Sequence, residues 1–168
     1  MSDRPYNMLF LCTGNSARSI LAESIMNKLG KGKFHAFSAG SRPNGKVNPL
    51  ALDLLKQLDF PTEGLRSKSW DEFAGPGGIP FDFIITVCDN AAGETCPVWP
   101  GMPITAHWGI PDPAAVKGTE PERKAAFTQA FKALDGRIRR FLSLPIASID
   151  QICIKERMDA IGKTHDAS

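Results

Sequence analysis

Tyr6-Asn7-Met8-Leu9-Phe10-Leu11-Cys12-Thr13-Gly14-Asn15-Ser16-Ala17-Arg18-Ser19 runs from an apolar stretch into a short loop and then into a helical pattern that continues to Leu29. A brief apolar run closed by loop residues and followed by helical periodicity predicts strand, loop, helix. The loop puts five residues between Cys12 and Arg18. Gly14 and Asn15 tolerate positive φ. The segment Thr13, Gly14, Asn15, Ser16 and Ala17 can therefore curl until its N–H groups converge, and the following helix adds its positive end. Such a nest holds a tetrahedral oxyanion. Arg18, in the first helical turn, offers a planar fork for two oxyanion oxygens, and the same field favours a thiolate at Cys12. Ser19 adds a hydroxyl able to donate to that thiolate. The competing reading is a buried structural cysteine beside an ordinary glycine loop. The strand before, the helix after and the serine behind Arg18 weigh against it.

Working outward, Phe34 to Ala39 reads as a second strand, Gly40 to Gly45 as a turn, and Asn48-Pro49 as the start of a helix over Leu50 to Leu58. Ser69 and Glu72 have capping-box spacing for a short helix. After the breaker from Gly75 to Pro80, Phe81 to Val87 reads as a third strand with Cys88 at its carboxyl end. Asp89 to Pro103 reads as a loop, Ile104 to Trp108 as a fourth strand leading to Asp112, and Thr119 with Glu122 as a capping box. The helix this box opens carries the stripe Phe127, Ala130, Phe131, Leu134, Ile138 and Phe141. Pro145 marks its end, Ser148 to Ile161 predicts a further helix, and Gly162 to Ser168 a frayed tail. This alternation predicts an α/β fold: a three-layer open parallel four-stranded sheet flanked by helices, with an extra C-terminal helix. Ligands in such sheets bind at the carboxyl ends of the strands, where Cys12, Cys88 and Asp112 all fall.

The 168 residues, 42% hydrophobic, suffice for one sizeable core. The expected division is a catalytic domain over residues 1–144 and a helical extension and tail over residues 145–168. A net charge of +2 with spread basic residues points to neither nucleic acid nor membrane as a partner. Without a signal-peptide pattern or an apolar stretch of roughly 20 residues, the expected location is cytoplasmic. There, the cysteines Cys12, Cys88, Cys96 and Cys153 more often signal catalysis or metal than a disulfide framework. Cys88, Cys96 and His107 are spaced too widely for a usual zinc set and show no fourth ligand. Cys153 lies on an apolar helical face and is expected to pack there. His35 and His165 read as surface residues, His107 and Trp108 as a pocket wall.

The loop Cys12-Thr13-Gly14-Asn15-Ser16-Ala17-Arg18-Ser19 resembles that of the low-molecular-weight tyrosine phosphatase superfamily, and closely that of its thiol-linked arsenate reductase branch. The resemblance extends through Phe37-Ser38-Ala39-Gly40, Val47-Asn48-Pro49, Val87-Cys88, Cys96-Pro97 and His107-Trp108-Gly109-Ile110-Pro111-Asp112-Pro113-Ala114, up to about Leu144. It implies the low-molecular-weight tyrosine phosphatase fold, with Cys12 as nucleophile and Asp112 as general acid. For a reductase it implies a relay in which Cys88 attacks the Cys12 adduct and Cys96 then attacks Cys88. The substrate would be arsenate, with phosphate or sulfate as competing oxyanions. The reductant would be thioredoxin, or glutaredoxin with glutathione. No cofactor is implied as obligatory. Some members hold a potassium ion, and Asn15, Glu23, Ser38 and Asp71 are the matching residues. The alternative is a phosphatase that hydrolyses a phosphocysteine at Cys12. Against it, Ala114 and Ala115 follow Asp112-Pro113 where the family's tyrosine phosphatases usually carry an aromatic residue.

Overall fold

The structure, a computed structural model, describes residues 5–73, 79–88, 103–146, 148 and 150–163. Four strands, β1 (Tyr6–Leu11), β2 (Phe34–Ala39), β3 (Phe83–Thr86) and β4 (Ile104–His107), form one parallel sheet in the order β2-β1-β3-β4. The register sets Leu11 beside Ala39 and Thr86, and Thr86 beside His107. All four strands therefore end at one edge, and whatever follows each strand arrives at the same place.

The helices are α1 (Arg18–Leu29), α2 (Pro49–Gln57), α3 (Glu120–Leu142) and α4 (Gln151–Gly162). Asn48 caps α2 by accepting from Leu50 N–H, with Pro49 in the first turn as its fixed φ favours. Thr119 and Glu122 form the expected capping box, a feature worth about 0.5–2 kcal/mol. At Ser69 the box does not form. Its hydroxyl accepts from Asp71 N–H and opens only a 3-10 turn, Trp70–Glu72. The Glu72 carboxylate is taken instead by Arg66, at 2.5 and 2.9 Å.

Both faces of the sheet are covered, as a parallel sheet requires. Met8, Phe10, Phe83 and Ile85 point into the larger core, to which all four helices contribute buried side chains, including Ile25, Leu55, Phe141 and Met158. Phe141 stacks edge-on against Phe34 and Phe83. Leu9, Leu11 and Ile84 point the other way, against Phe73 and Phe81, which make mutual edge contacts with Phe37. Of the predicted apolar stripe of α3, all but the half-buried Phe131 are buried. No described helix is long and apolar enough to cross a membrane.

The C-terminal helix begins later than its sequence pattern suggests, with Asp150 as cap accepting from Cys153 N–H at 2.8 Å. It docks on the β4 side of the sheet. Trp108 is 0% exposed, and its indole N–H donates to Met158 O at 2.9 Å. A buried indole needs an acceptor, and α4 supplies it. Trp108 is thus a core residue and not the pocket wall its sequence position suggested, while His107 is exposed, its Nδ1 2.7 Å from Thr86 Oγ1. Cys153 is half-buried where full burial was expected.

Candidate active site

The loop after β1 is built by turning its carbonyls outward. Thr13 O accepts from Arg42 N–H at 3.0 Å, Gly14 O from Asn44 N–H at 2.9 Å, and Ser16 O from Asn48 N–H at 2.8 Å, all donors from the connection between β2 and α2. With the carbonyls held on that side, the intervening N–H groups turn to the concave side, as an anion nest requires. Of Gly14 and Asn15, only Asn15 enters the left-handed region, at φ 45°. Gly14 serves a close approach: an added Cβ would stand 3.1 Å from Asn44 Nδ2. Ala17 precedes α1 with no side-chain cap, so no side chain competes with an anion for the first-turn N–H groups.

Cys12 and Cys88 are both buried free thiols. Thr13 N–H donates to Cys88 Sγ at 3.3 Å, and Thr13 Oγ1 lies 3.7 Å from it. The Cys12 thiol is pushed up, first by its hydrogen bond to Cys88 and then by burial. Arg18 and the Gly14 N–H pull it down. The expectation of a thiolate from the loop's field alone omits this second sulfur. The two thiols share one site, so charge on either disfavours charge on the other.

Arg18 Nη1 donates to Ile110 O at 3.0 Å, and its Nη2 lies 3.7 Å from Asp112 Oδ2. An ion pair this open is worth about 0–1 kcal/mol, so its consequence is placement: it sets Asp112 beside the arginine of the loop. Asp112 Oδ1 also accepts from Ala114 N–H at 2.9 Å, capping a 3-10 turn, Pro113–Ala115. Ser19 is fully buried and accepts from Asn15 Nδ2 at 2.8 Å, which turns its own hydroxyl hydrogen away from Asn15.

Cys12, Arg18, Ser19, Cys88 and Asp112 thus meet at one edge of the sheet, around the loop from Thr13 to Ala17. Cys96 lies outside the described residues, as do His165 and all but Pro103 of the Asp89–Pro103 loop. Residues matching 7–152 fit the family model described as low molecular weight phosphotyrosine protein phosphatase. The chain belongs to that family. Within the low molecular weight phosphatase family it is similar to an arsenate reductase of Oceanobacillus iheyensis, at 34% identity over 132 residues, covering 79% of this chain and 91% of the relative. Among solved structures it resembles an arsenate reductase from Archaeoglobus fulgidus at 26% identity and TM-score 0.58, covering 79% of this chain and 98% of that one. It also shares the fold of a thioredoxin-dependent arsenate reductase from Corynebacterium glutamicum, at 21% identity and TM-score 0.61, covering 84% and 62%.

Two residues that shape the site have no counterpart in the sequence reading. Arg137 is buried in α3, and its Nη1 donates to Trp108 O at 2.9 Å and Gly109 O at 3.0 Å, tying that helix to the segment that carries Asp112. A signal existed: Arg137 interrupts the apolar stripe between Leu134 and Ile138. Lys68 is buried beneath the anion loop. Its N–H donates to Asn15 Oδ1 at 2.8 Å and its Nζ to Ser38 O at 2.8 Å. Burial pushes the Lys68 ammonium down while Glu23 holds it up. Burial pushes Glu23 up, against the Ser38 hydrogen bond and the Lys68 charge. Set between Ser67 and Ser69, Lys68 gave no sequence signal.

Proposed function

We propose that this chain reduces arsenate to arsenite. The observation that carries the reading is the second thiol: Cys88 Sγ accepts from the loop's own Thr13 N–H at 3.3 Å, next to Cys12, whose thiol it pushes up. Hydrolysis of a phosphocysteine has no use for a second thiol, whereas reduction needs a sulfur able to attack Cys12. The low molecular weight family relatives named arsenate reductase support the same choice.

In the proposed reaction, Cys12 gives its proton to an oxygen of the bound arsenate and its sulfur attacks arsenic(V) held by the loop N–H groups and Arg18. An oxygen leaves as water, protonated by Asp112. General acids of this kind contribute about 100-fold to 10,000-fold. Cys88, as thiolate, then attacks Cys12 sulfur. The S–S bond forms, the S–As bond breaks, and its electron pair goes to arsenic, which leaves as arsenite. Cys96 next attacks Cys88 sulfur, freeing Cys12 and leaving a Cys88–Cys96 disulfide for an external dithiol to reduce. Thioredoxin is the proposed reductant, supported by the thioredoxin-dependent enzyme that shares this fold; glutaredoxin with glutathione is the alternative. Phosphate and sulfate, being tetrahedral, should compete for the loop.

The loop and Asp112 also suit phosphate monoester hydrolysis, so residual activity toward small aryl phosphates is expected. The test is NADPH oxidation by the protein with arsenate, thioredoxin and thioredoxin reductase. Arsenate-dependent turnover is the expected result. Aryl phosphate hydrolysis without arsenate turnover under either reductant system would leave the phosphatase reading.

A further inference from the structure

Two of the residues that the family resemblance offers to a potassium ion, Ser38 and Glu23, are already engaged by the Lys68 side chain, Glu23 through the Ser38 hydroxyl, and a third, Asn15, by the Lys68 backbone. Lys68 is 7% exposed. Its Nζ donates to Ser38 O at 2.8 Å and reaches Ser38 Oγ at 3.4 Å, and that hydroxyl donates to Glu23 Oε1 at 2.5 Å. The Lys68 backbone N–H takes Asn15 Oδ1 at 2.8 Å. Of the four matching residues, Asn15, Glu23 and Ser38 thus present their oxygens to Lys68 directly or through one hydroxyl. Asp71 is exposed, with its N–H bonded to Ser69 Oγ. An alkali-metal ion would need the same oxygens and would stand beside a like charge, so the residues present do not fit it.

We propose that Lys68 is a tethered cation that replaces an alkali-metal ion in this chain: its ammonium neutralises Glu23 and anchors the segment to Ser38, and the backbone N–H so anchored fixes Asn15, so that the anion loop stands ready for its oxyanion. The chain of contacts supports a positioning role. Lys68 holds Asn15 by Oδ1, Asn15 holds Ser19 by Nδ2 at 2.8 Å, and Asn15 is the loop residue in the left-handed conformation. Lysine suits the task as a compact charge with three donors, two of which are aimed at Ser38. Removing the side chain would leave Glu23 as a half-buried carboxylate without its countercharge, beside the released Ser38 oxygens, which is itself a cation site. A lysine that only tied its own segment to β2 would leave no such site.

The inference rests on the loop as an oxyanion site and not on the fate of the Cys12 adduct, so inorganic phosphate is the probe. Its affinity for the full chain is measured by calorimetry in choline chloride and in potassium chloride at equal ionic strength, together with the thermal midpoint. The wild type should give the same values in both salts. Lys68→Ala should lose about tenfold or more in phosphate affinity in choline, the effect of an uncompensated buried charge, and recover most of it, with its thermal midpoint, in potassium. The proposal is overturned if the wild type gains from potassium over choline, if Lys68→Ala matches the wild type in choline, or if potassium fails to lift its deficit. Should Lys68→Ala not fold in choline, Glu23→Gln/Lys68→Ala removes both charges. That variant should fold and bind phosphate without potassium dependence, and potassium dependence there would equally overturn the idea. A negative result leaves arsenate reduction standing, because phosphate binding does not pass through Cys88 or Cys96.

Discussion

Cys88 pushes the Cys12 thiol up, and the separate duties of the two sulfurs follow from where each stands. Cys12 directly follows β1 and opens the loop, so every reaction of a bound oxyanion passes through it. Cys12→Ser should abolish both arsenate reduction and aryl phosphate hydrolysis. Cys88 Sγ meets the loop at Thr13. Cys88→Ser should stop multiple-turnover arsenate reduction while leaving aryl phosphate hydrolysis within a few-fold of the wild type; equal loss of both activities in paired assays would refute the division. It should also remove the first cause that pushes the Cys12 thiol up, so the rate of Cys12 alkylation at neutral pH should rise. Asp112→Asn keeps the cap on Ala114 N–H but cannot give up a proton. Turnover of a poor leaving group should fall by about 100-fold to 10,000-fold, with phosphate affinity changed little.

At the scale of elements, the anion loop owes its shape to the β2–α2 connection as much as to its own residues. Gly40, directly after β2, lies against the start of the loop. A Cβ there would collide with Thr13 O and stand 2.6 Å from Cys12 O, both backbone atoms that cannot swing away. Gly40→Ala should therefore destabilise the protein by about 1–3 kcal/mol and weaken phosphate binding, read by urea titration and calorimetry. The loop's spacing, its strand and helix, and the convergence of Cys12, Cys88 and Asp112 at one edge were legible because each rests on local pattern or on the general rule for parallel sheets. The outward carbonyl contacts and the Lys68–Asn15 bond were not, because their partners lie far along the chain, 53 residues apart for Lys68 and Asn15. The capping box at Ser69 was misread for a related reason: Arg66 offers Glu72 a bidentate partner outside the motif. The Cys12 thiol departed from expectation because a field read from one loop does not contain the neighbour brought in by β3.

At the scale of the whole molecule, α4 decides whether the chain folds as one unit or as a catalytic domain with an appendage. Ile154, Met158 and Ile161 belong to the same buried cluster as Phe10, Phe83 and Phe141, and Met158 O is the acceptor for the Trp108 indole. Gly162 reinforces the contact. A Cβ there would meet His107 O and stand 2.9 Å from Trp108 Cδ1, so the helix end lies directly on β4. Met158→Ala deletes a fully buried side chain but keeps the backbone carbonyl that satisfies Trp108. The loss should be about 2–5 kcal/mol, the usual range for a core methionine cut to alanine. If α4 is integral, that loss lowers one cooperative urea transition in which far-UV circular dichroism, tryptophan fluorescence and phosphate binding move together. If α4 were an appendage, the variant would show an early fluorescence change as Trp108 lost its cover, followed by a phosphate-binding transition at the wild-type midpoint. The Arg137 bonds to Trp108 O and Gly109 O argue for the single transition, since releasing Trp108 would pull on the same segment that carries Asp112.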